Sequence, residues 1–410
     1  MNCWRCLGIS DFMNNFDVNN EYLIGVSGGP DSMFLLSWLL KQKPKKIVVC
    51  HVNYNFRKDS HLDQKIVEDF CREHNLVLEI KTIDPKFYQN LKLNFEAWAR
   101  EQRYDFFVEI GKKYQINHVL IAHNQNDVVE TYLMQLQRQN LIQYWGIKPI
   151  SSYKKMLVVR PILDFKKSEI LKILNDQKIA YVFDLTNFDE KYQRNKIRKN
   201  LAEKDFAKYI KQIFEANQVL EQEIKQANIY LEKNLFDQEL ALDQQLKKMT
   251  SEMIQRIVYQ YFEKINKTDL LQGRKKQTLV EISKRLKTAN KVFWKIELNE
   301  FVLMKDFNRL YLLHKDLIKP KTIIINNKNE FAFVQEFNNG LELLKTIKSD
   351  GEYYPYIITN DFEKYKTITT YKNKKMNRYL IDEKISYKKR FLKAIVYQKK
   401  DLKVLNNFNQ

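Results

Sequence analysis

Residues 27–32 read SGGPDS, directly after an apolar run at 22–26 and directly before an apolar, helix-length stretch at 32–42. A glycine pair between a buried strand and a helix start lets backbone N–H groups turn outward around an anion, and the helix dipole adds to the attraction. Ser27 and Ser32 add hydroxyl donors. Asp31 sets a carboxylate beside that anion, which is repulsive unless a cation such as Mg²⁺ bridges the two. The combination points to a Mg-nucleotide. No GxxxxGK[ST] or GxGxxG pattern occurs in this loop, so it is neither a Walker A loop nor a dinucleotide fingerprint.

Other residue types suited to chemistry recur further on. His51-Val52-Asn53 closes a second apolar run, and His123 to Glu130 follows a fourth. Asp127 and Glu130 are spaced i, i+3, which puts both carboxylates on one face of a helix start. Such a pair suits a metal ion, an ammonium group or proton removal, and the spacing does not choose between them. Arg100 and Arg103, also i, i+3, suit phosphates or charge developing on a base. Arg194 and Arg198, at i, i+4, form a basic stripe suited to ATP phosphates or an RNA backbone.

These residues need a scaffold, and the pattern supplies one. Strand-length apolar runs at 22–26, 46–53, 76–83, 118–123 and 157–162 alternate with amphipathic segments near 32–42, 61–74, 94–114, 126–138 and 167–177. That alternation predicts a doubly wound α/β domain with a mostly parallel sheet, in which ligands bind at the carboxyl ends of strands. Beyond about 200 the texture becomes long, helical and polar, then turns to short strands. The expected domains are a catalytic one over 1–200, a mainly helical one over 201–318 and a small basic α+β one over 319–410.

The 410 residues, 44% hydrophobic and 13% aromatic, describe a globular chain. No apolar stretch reaches about 18 residues and the N-terminus lacks a signal pattern, so a soluble cytoplasmic protein with no membrane contact is expected. Cys3, Cys6, Cys50 and Cys71 form no disulfide framework, and the lone Cys3-x-x-Cys6 is weak as a metal motif. The net charge of +20 is uneven: residues 1–150 carry 18 Lys+Arg against 17 Asp+Glu, and residues 151–410 carry 52 against 33. A neutral front and basic rear suggest chemistry at one end and polyanion binding at the other. Residues 366–410, with 13 Lys+Arg against 3 Asp+Glu and interleaved tyrosines, are the extreme case.

Six further clusters complete a pattern: His51-Val-Asn-Tyr-Asn-Phe-Arg57, Glu96-Ala-Trp-Ala-Arg100-Glu-Gln-Arg103-Tyr104, Ala122-His123-Asn124-Gln125-Asn126-Asp127-Val-Val-Glu130-Thr131, Arg160-Pro161-Ile-Leu-Asp164, Asp184-Leu-Thr-Asn187 and Arg194-Asn195-Lys-Ile-Arg198. In order and spacing, residues 21–200 resemble the N-type ATP pyrophosphatase (PP-loop) superfamily and, within it, the tRNA(Ile)-lysidine synthetase family. The segment Lys374-Lys375-Met-Asn-Arg378 to Ile385-Ser-Tyr-Lys-Lys-Arg390 resembles that family's C-terminal domain more loosely. The resemblance implies an adenine nucleotide alpha hydrolase-like fold, with ATP and Mg²⁺ as cofactors. The implied activity is a carbon–nitrogen ligase: ATP adenylylates C2 of the wobble cytidine in the CAU anticodon of tRNA(Ile), and the ε-amine of L-lysine displaces AMP. A homodimer is compatible with it.

On this resemblance Ser27, Gly28, Gly29, Pro30, Asp31, Ser32, His51, Asn53 and His123 are expected at ATP. Asp31, Asp127, Glu130, Arg100 and Arg103 are expected in catalysis, with Asp31 and Asp127 at the metal. Arg194, Arg198, Lys374, Lys375, Arg378 and Arg390 are expected on tRNA or phosphate. Three departures from the family pattern stand out. Tyr54 replaces a histidine, Asn124 and Asn126 replace a histidine and an acidic residue, and Gln139-Asn140 stands where the family is glycine-rich. Other tRNA-modifying PP-loop enzymes, such as cytidine thiolases, and a catalytically inactive tRNA-binding relative are the alternatives. The thiolases need internal CxxC cysteines, which Cys50 and Cys71 do not supply.

Overall fold

The computed structural model describes residues 16–56, 59–89, 95–138, 141–183, 193–199, 201–271, 277–288, 291–348 and 353–408. Arg57, the 184–187 cluster, Gln139-Asn140, Cys3 and Cys6 lie outside them. The chain divides into two compact units, Met1–Glu221 and Gln222–Gln410.

The first unit is built on β1 (Glu21–Gly25), α1 (Pro30–Lys41), β2 (Lys46–Asn53), α2 (Ser60–Glu73), β3 (Val77–Thr82), α3 (Phe95–Tyr114), β4 (His118–Ile121), α4 (Gln125–Arg138), β5 (Ile150–Tyr153), β6 (Met156–Val159), α5 (Lys167–Asp176) and α6 (Gln193–Lys199). A six-stranded sheet runs β3-β2-β1-β4-β6-β5. Every pairing is parallel except β5 with β6. Alternate residues of the central strands face opposite layers, as period-two side-chain geometry requires. Leu23, Val48, Cys50 and Val119 meet Tyr104, Phe107 and Ile110 of α3. Ile24, Ile47, Val49 and Leu120 meet α1, α2 and α5 through Leu35, Val67 and Ile170. This is the doubly wound sheet expected from the strand–helix alternation.

β1 hydrogen-bonds to β2 on one side and β4 on the other. The chain winds outward from β1 to β3, then returns to the opposite side of β1, so the strand order reverses between β1 and β4. The crevice beyond their carboxyl ends is where ligands bind in such sheets. SGGPDS follows β1, and His123 to Glu130 follows β4.

The second unit carries an antiparallel sheet with β7 (Phe293–Leu298), β8 (Phe301–Asp306) and β9 (Arg309–His314) and a three-stranded sheet of β10 (Thr322–Ile325), β11 (Tyr356–Thr359) and β12 (Ile395–Gln398). One core of this unit combines Leu298, Leu303 and Leu310 with the helix Ser251–Lys264 through Ile254, Val258 and Tyr261. A second combines Val302, Met304 and Tyr311 with Phe362, Tyr365, Met376, Tyr379 and Phe391. The basic, aromatic tail therefore spends most of its rings in a core. Among the described residues, no helix is long and apolar enough to cross a membrane.

Candidate active site

The loop after β1 is held by its own serines. Ser32 Oγ donates to the Gly29 carbonyl at 2.9 Å and accepts from the Ser27 amide at 3.1 Å. Gly29 caps α1, with Pro30 in its first turn, where a missing N–H costs nothing. Gly28 has φ +86, and a Cβ there would stand 2.8 Å from the Asp63 carbonyl oxygen. Only glycine lets the loop pass this close to α2.

Asp31, one residue into α1, gathers the site. Its Oδ1 accepts from Asn124 Nδ2 at 2.9 Å, and its Oδ2 lies 2.6 Å from Lys167 Nζ. Burial pushes the Asp31 pKa up, Lys167 pulls it down, and the charge of Asp127 raises it again. Asn124 also closes the start of α4 reciprocally: its Oδ1 accepts from the Asp127 amide, and Asp127 Oδ2 accepts from its own amide, both at 3.0 Å. The residue that departs from the family's histidine thus joins the α4 cap to the phosphate loop.

Asn126 has a comparable reason to be an amide. Its Oδ1 accepts from the Lys167 amide at 2.9 Å and its Nδ2 donates to Glu203 at 3.1 Å. A carboxylate at 126 would face Glu203 with like charge and no donor. Glu203 further accepts from Ser168, fixing the start of α5 and with it Lys167.

The acidic pair meets the basic stripe. Glu130 is buried, and its two oxygens accept from Arg194 Nε and Arg198 Nε, each at 2.7 Å. Arg194 Nη2 also reaches Asp127 Oδ1 at 3.2 Å. Helix α6 is therefore clamped to α4 by two arginines on two carboxylates.

His123 accepts at Nδ1 from Arg160 Nε at 3.1 Å. Arg160 is buried and also donates to the Lys148 carbonyl and Ser151 Oγ. Desolvation first, with Arg160, Arg100 and Arg194 in support, brings the His123 pKa down to about 4 against the pull of Asp127. The ring is neutral at pH 7 with its proton on Nε2, a donor for a ligand oxygen and a poor base. His51 donates from Nδ1 to the Val26 carbonyl at 2.9 Å, and its buried Nε2 has no hydrogen-bond partner among the described residues.

The structure thus brings Ser27, Gly28, Gly29, Pro30, Asp31, Ser32, Asp127, Glu130, His123, Arg194 and Arg198 around one crevice. Arg100 is close enough for its charge to depress His123, while Arg103 Nε points to the Tyr54 hydroxyl at 3.5 Å. Asn53 donates from Nδ2 to Gln64 Oε1 at 2.9 Å and accepts at Oδ1 from the Asn55 amide at 2.9 Å. In the second unit Lys374, Lys375 and Arg378 are exposed, with Lys374 and Arg378 sharing Asp382. Arg390 corrects an expectation. It is 2% exposed, donates to the Ile385 and Leu380 carbonyls and lies over the Tyr387 ring, so it holds the fold and cannot touch tRNA. Lys167 is the residue sequence reasoning missed, because a lysine at a helix start carries no signal in a chain this basic.

A parallel sheet with a lysine-free SGGPDS phosphate loop at its switch point defines a PP-loop protein, and residues 7–205 match the PP-loop domain family. The tRNA(Ile)-lysidine synthase of Mesoplasma florum is 50% identical over 396 residues, covering 96% of this chain and 99% of that protein. That of Mycoplasma mycoides subsp. mycoides is 51% identical over 401 residues, covering 97% and 100%. Among solved structures, the U34-tRNA thiolase NcsA from Methanococcus maripaludis aligns at TM-score 0.43 and 18% identity, over 53% of this chain and 81% of that one. The chain belongs to the tRNA(Ile)-lysidine synthase family.

Proposed function

We propose that this protein is a cytoplasmic tRNA(Ile)-lysidine synthase, joining L-lysine to C2 of the wobble cytidine in the CAU anticodon of tRNA(Ile) at the expense of ATP. In the first half-reaction the C2 oxygen attacks the α-phosphorus and pyrophosphate leaves. In the second the lysine ε-amine attacks C2, loses a proton and expels AMP. The product pairs with A instead of G, moving the codon read from AUG to AUA. The observation that carries this reading is near-full-length identity of about half to two synthases of that name, together with a phosphate loop that keeps every donor.

The SGGPDS backbone and Ser27 would cradle the phosphates as charge builds on the departing pyrophosphate. The neutral His123 suits donation from Nε2 to a phosphate oxygen. Arg194 and Arg198 suit the same anion or the tRNA backbone. Asp31 and Asp127 are hard oxygen donors whose mutual repulsion a divalent cation would relieve, so the pair fits Mg²⁺. Bound there, Mg²⁺ would neutralise phosphate charge. No group of three or more His, Cys, Asp or Glu side chains able to hold a metal occurs among the described residues, so the ion's remaining ligands would come from the nucleotide and water.

The ε-amine has a pKa of about 10.4 free in water and must lose a proton before attack. His123 is a poor candidate, with Nδ1 occupied and its pKa near 4. Asp127, 14% exposed and met by both arginines at Oδ1 only, is better placed for the ammonium than the 3%-exposed Glu130, which they hold through both oxygens.

The test is stoichiometry. Purified protein with ATP, labelled lysine and unmodified tRNA(Ile) should release one AMP and one pyrophosphate per lysine fixed in acid-insoluble RNA. ATP consumption without tRNA-dependent lysine fixation would exclude the reading.

A further inference from the structure

Five aromatic rings of the first unit, Tyr54, Phe56, Tyr88, Phe95 and Trp98, form a contiguous network outside its hydrophobic core clusters. Phe56 and Phe95 are stacked, with centroids 4.6 Å apart and planes 21° from parallel. Tyr88 and Trp98 brace Phe95 at 5.0 and 6.0 Å. The phenols are spent internally: Tyr54 donates to the Ala99 carbonyl at 2.6 Å, and Tyr88 donates to the Tyr54 carbonyl at 3.0 Å. Fixed rings with satisfied hydroxyls offer a partner only their faces. Phe56, at the end of the stack, remains 56% exposed.

The location narrows the partner. Tyr54 and Phe56 follow β2 on the carboxyl edge of the sheet, three and five residues after His51, whose ring is tied to the Val26 carbonyl beside the phosphate loop. Phe95 and Trp98 sit in the first turn of α3, and Arg100 on the same helix is felt by His123 in the crevice. Arg103, one turn on, donates to the Tyr54 hydroxyl at the base of the shelf. One short helical stretch therefore carries aromatic faces on the shelf and guanidinium charge toward the site. Planar faces next to arginines suit unpaired bases on a phosphate backbone, and single-stranded RNA is recognised in this way.

We propose that this shelf stacks an anticodon-loop base adjoining the wobble cytidine, continuing the Phe95–Phe56 stack while the cytidine enters the crevice. The proposal rests on tRNA being the substrate. It also gives Tyr54 a role: its phenol fixes the start of α3 and meets Arg103.

The probe is the anticodon stem–loop of tRNA(Ile) with 2-aminopurine in place of the adenine 3′ to the wobble cytidine. Stacking on Phe56 should quench its fluorescence when the parent protein binds. Phe56→Ala and Phe56→Leu should both lose the quench and bind the stem–loop about tenfold more weakly, the low end of what one stacked base contributes. Phe56→Tyr should keep both. Because Phe56 is exposed, thermal midpoint and ATP affinity should not change in any variant. Leucine serving as well as phenylalanine would reduce the contact to apolar packing and overturn the proposal. So would an unquenched probe bound to the parent, parent-like affinity in Phe56→Ala, or a dimer lost in Phe56→Ala with tRNA binding unchanged. In those cases parent protein that still forms lysidine leaves the proposed function standing. Parent protein that binds no tRNA would remove that function itself.

Discussion

The Lys167 ammonium sits 2.6 Å from Asp31 Oδ2, so an α5 lysine partners the one carboxylate in the phosphate loop. The two side chains are 31% and 26% exposed, which keeps this pair within the modest range of partly solvated ion pairs. Lys167→Ala should lower the stability of the nucleotide-free protein by about 1 kcal/mol. Asp31→Ala should leave tRNA binding intact and slow adenylylation by about 10²-fold or more, the usual cost of losing charge stabilisation at a transferring phosphoryl group. Pyrophosphate release under single-turnover conditions, beside a urea titration, separates the two effects.

Asp127 and Glu130 should respond differently to neutralisation. Asp127→Asn retains an oxygen for the Asn124 amide, so the cap of α4 survives and the loss should fall on lysine fixation. Glu130→Ala strands two arginines over a buried site and should cost about 3 kcal/mol. Its protection from hydrogen exchange should fall first in α6. Separate titrations of lysine and Mg²⁺ against Asp127→Asn will show which ligand weakens; unaltered kinetics for both would remove Asp127 from the site.

Two groups give pH responses of opposite sign. His123 has a folded pKa of about 4, below its ordinary 6.5, so its contribution to stability is complete above 6.5 and is lost as pH falls through 4. The pH–rate profile between 5 and 8 should carry no limb from this ring. Asp164 is the reverse case. Burial raises its carboxyl to about 6, so folding favours the protonated form below pH 4 and that advantage disappears as pH rises through 6. Asp164→Asn should therefore stabilise the protein by about 1–2 kcal/mol at pH 8, with partial exposure allowed for, and by little at pH 4. An equal change in melting temperature at both pH values would contradict the assignment.

Deleting the basic tail would destroy a core, because Tyr371, Met376, Tyr379, Leu380 and Phe391 are all buried there. Its role in tRNA binding is better tested by replacing Lys372, Lys375 and Arg378 with alanine, since all three are exposed around the 370–375 hairpin and the helix after it. If these residues meet phosphates, the slope of log K against log salt should flatten by about 2–3, at about 0.7–0.9 per contact. Arg390→Ala should instead lower stability while the folded fraction keeps its salt slope.

The parallel sheet was legible because buried strands and amphipathic helices differ so clearly in period, and the order of the motifs located the crevice. The edge strand β5 was not. It turns into β6 through Lys154 and Lys155, both at positive φ, where the Asn-Gly or Asp-Gly that usually marks such a hairpin is missing. Within the site, sequence spacing paired Asp127 with Glu130 and Arg194 with Arg198. Only the fold shows that the two pairs neutralise each other. Arg390 looked like its exposed neighbours because charge alone carries no sign of burial. Asn124 and Asn126 read as departures from the family pattern, and each uses both ends of its amide.

Whether the wobble cytidine accepts the lysine is read by nucleoside mass analysis of tRNA(Ile) after incubation with ATP and lysine, with the CAU transcript beside one whose wobble base is uridine. The CAU transcript should lose one cytidine and gain one lysidine at the wobble position, and the uridine transcript should be unchanged. Lysine found elsewhere in the tRNA, or an unmodified wobble cytidine after ATP has been consumed, would contradict that prediction.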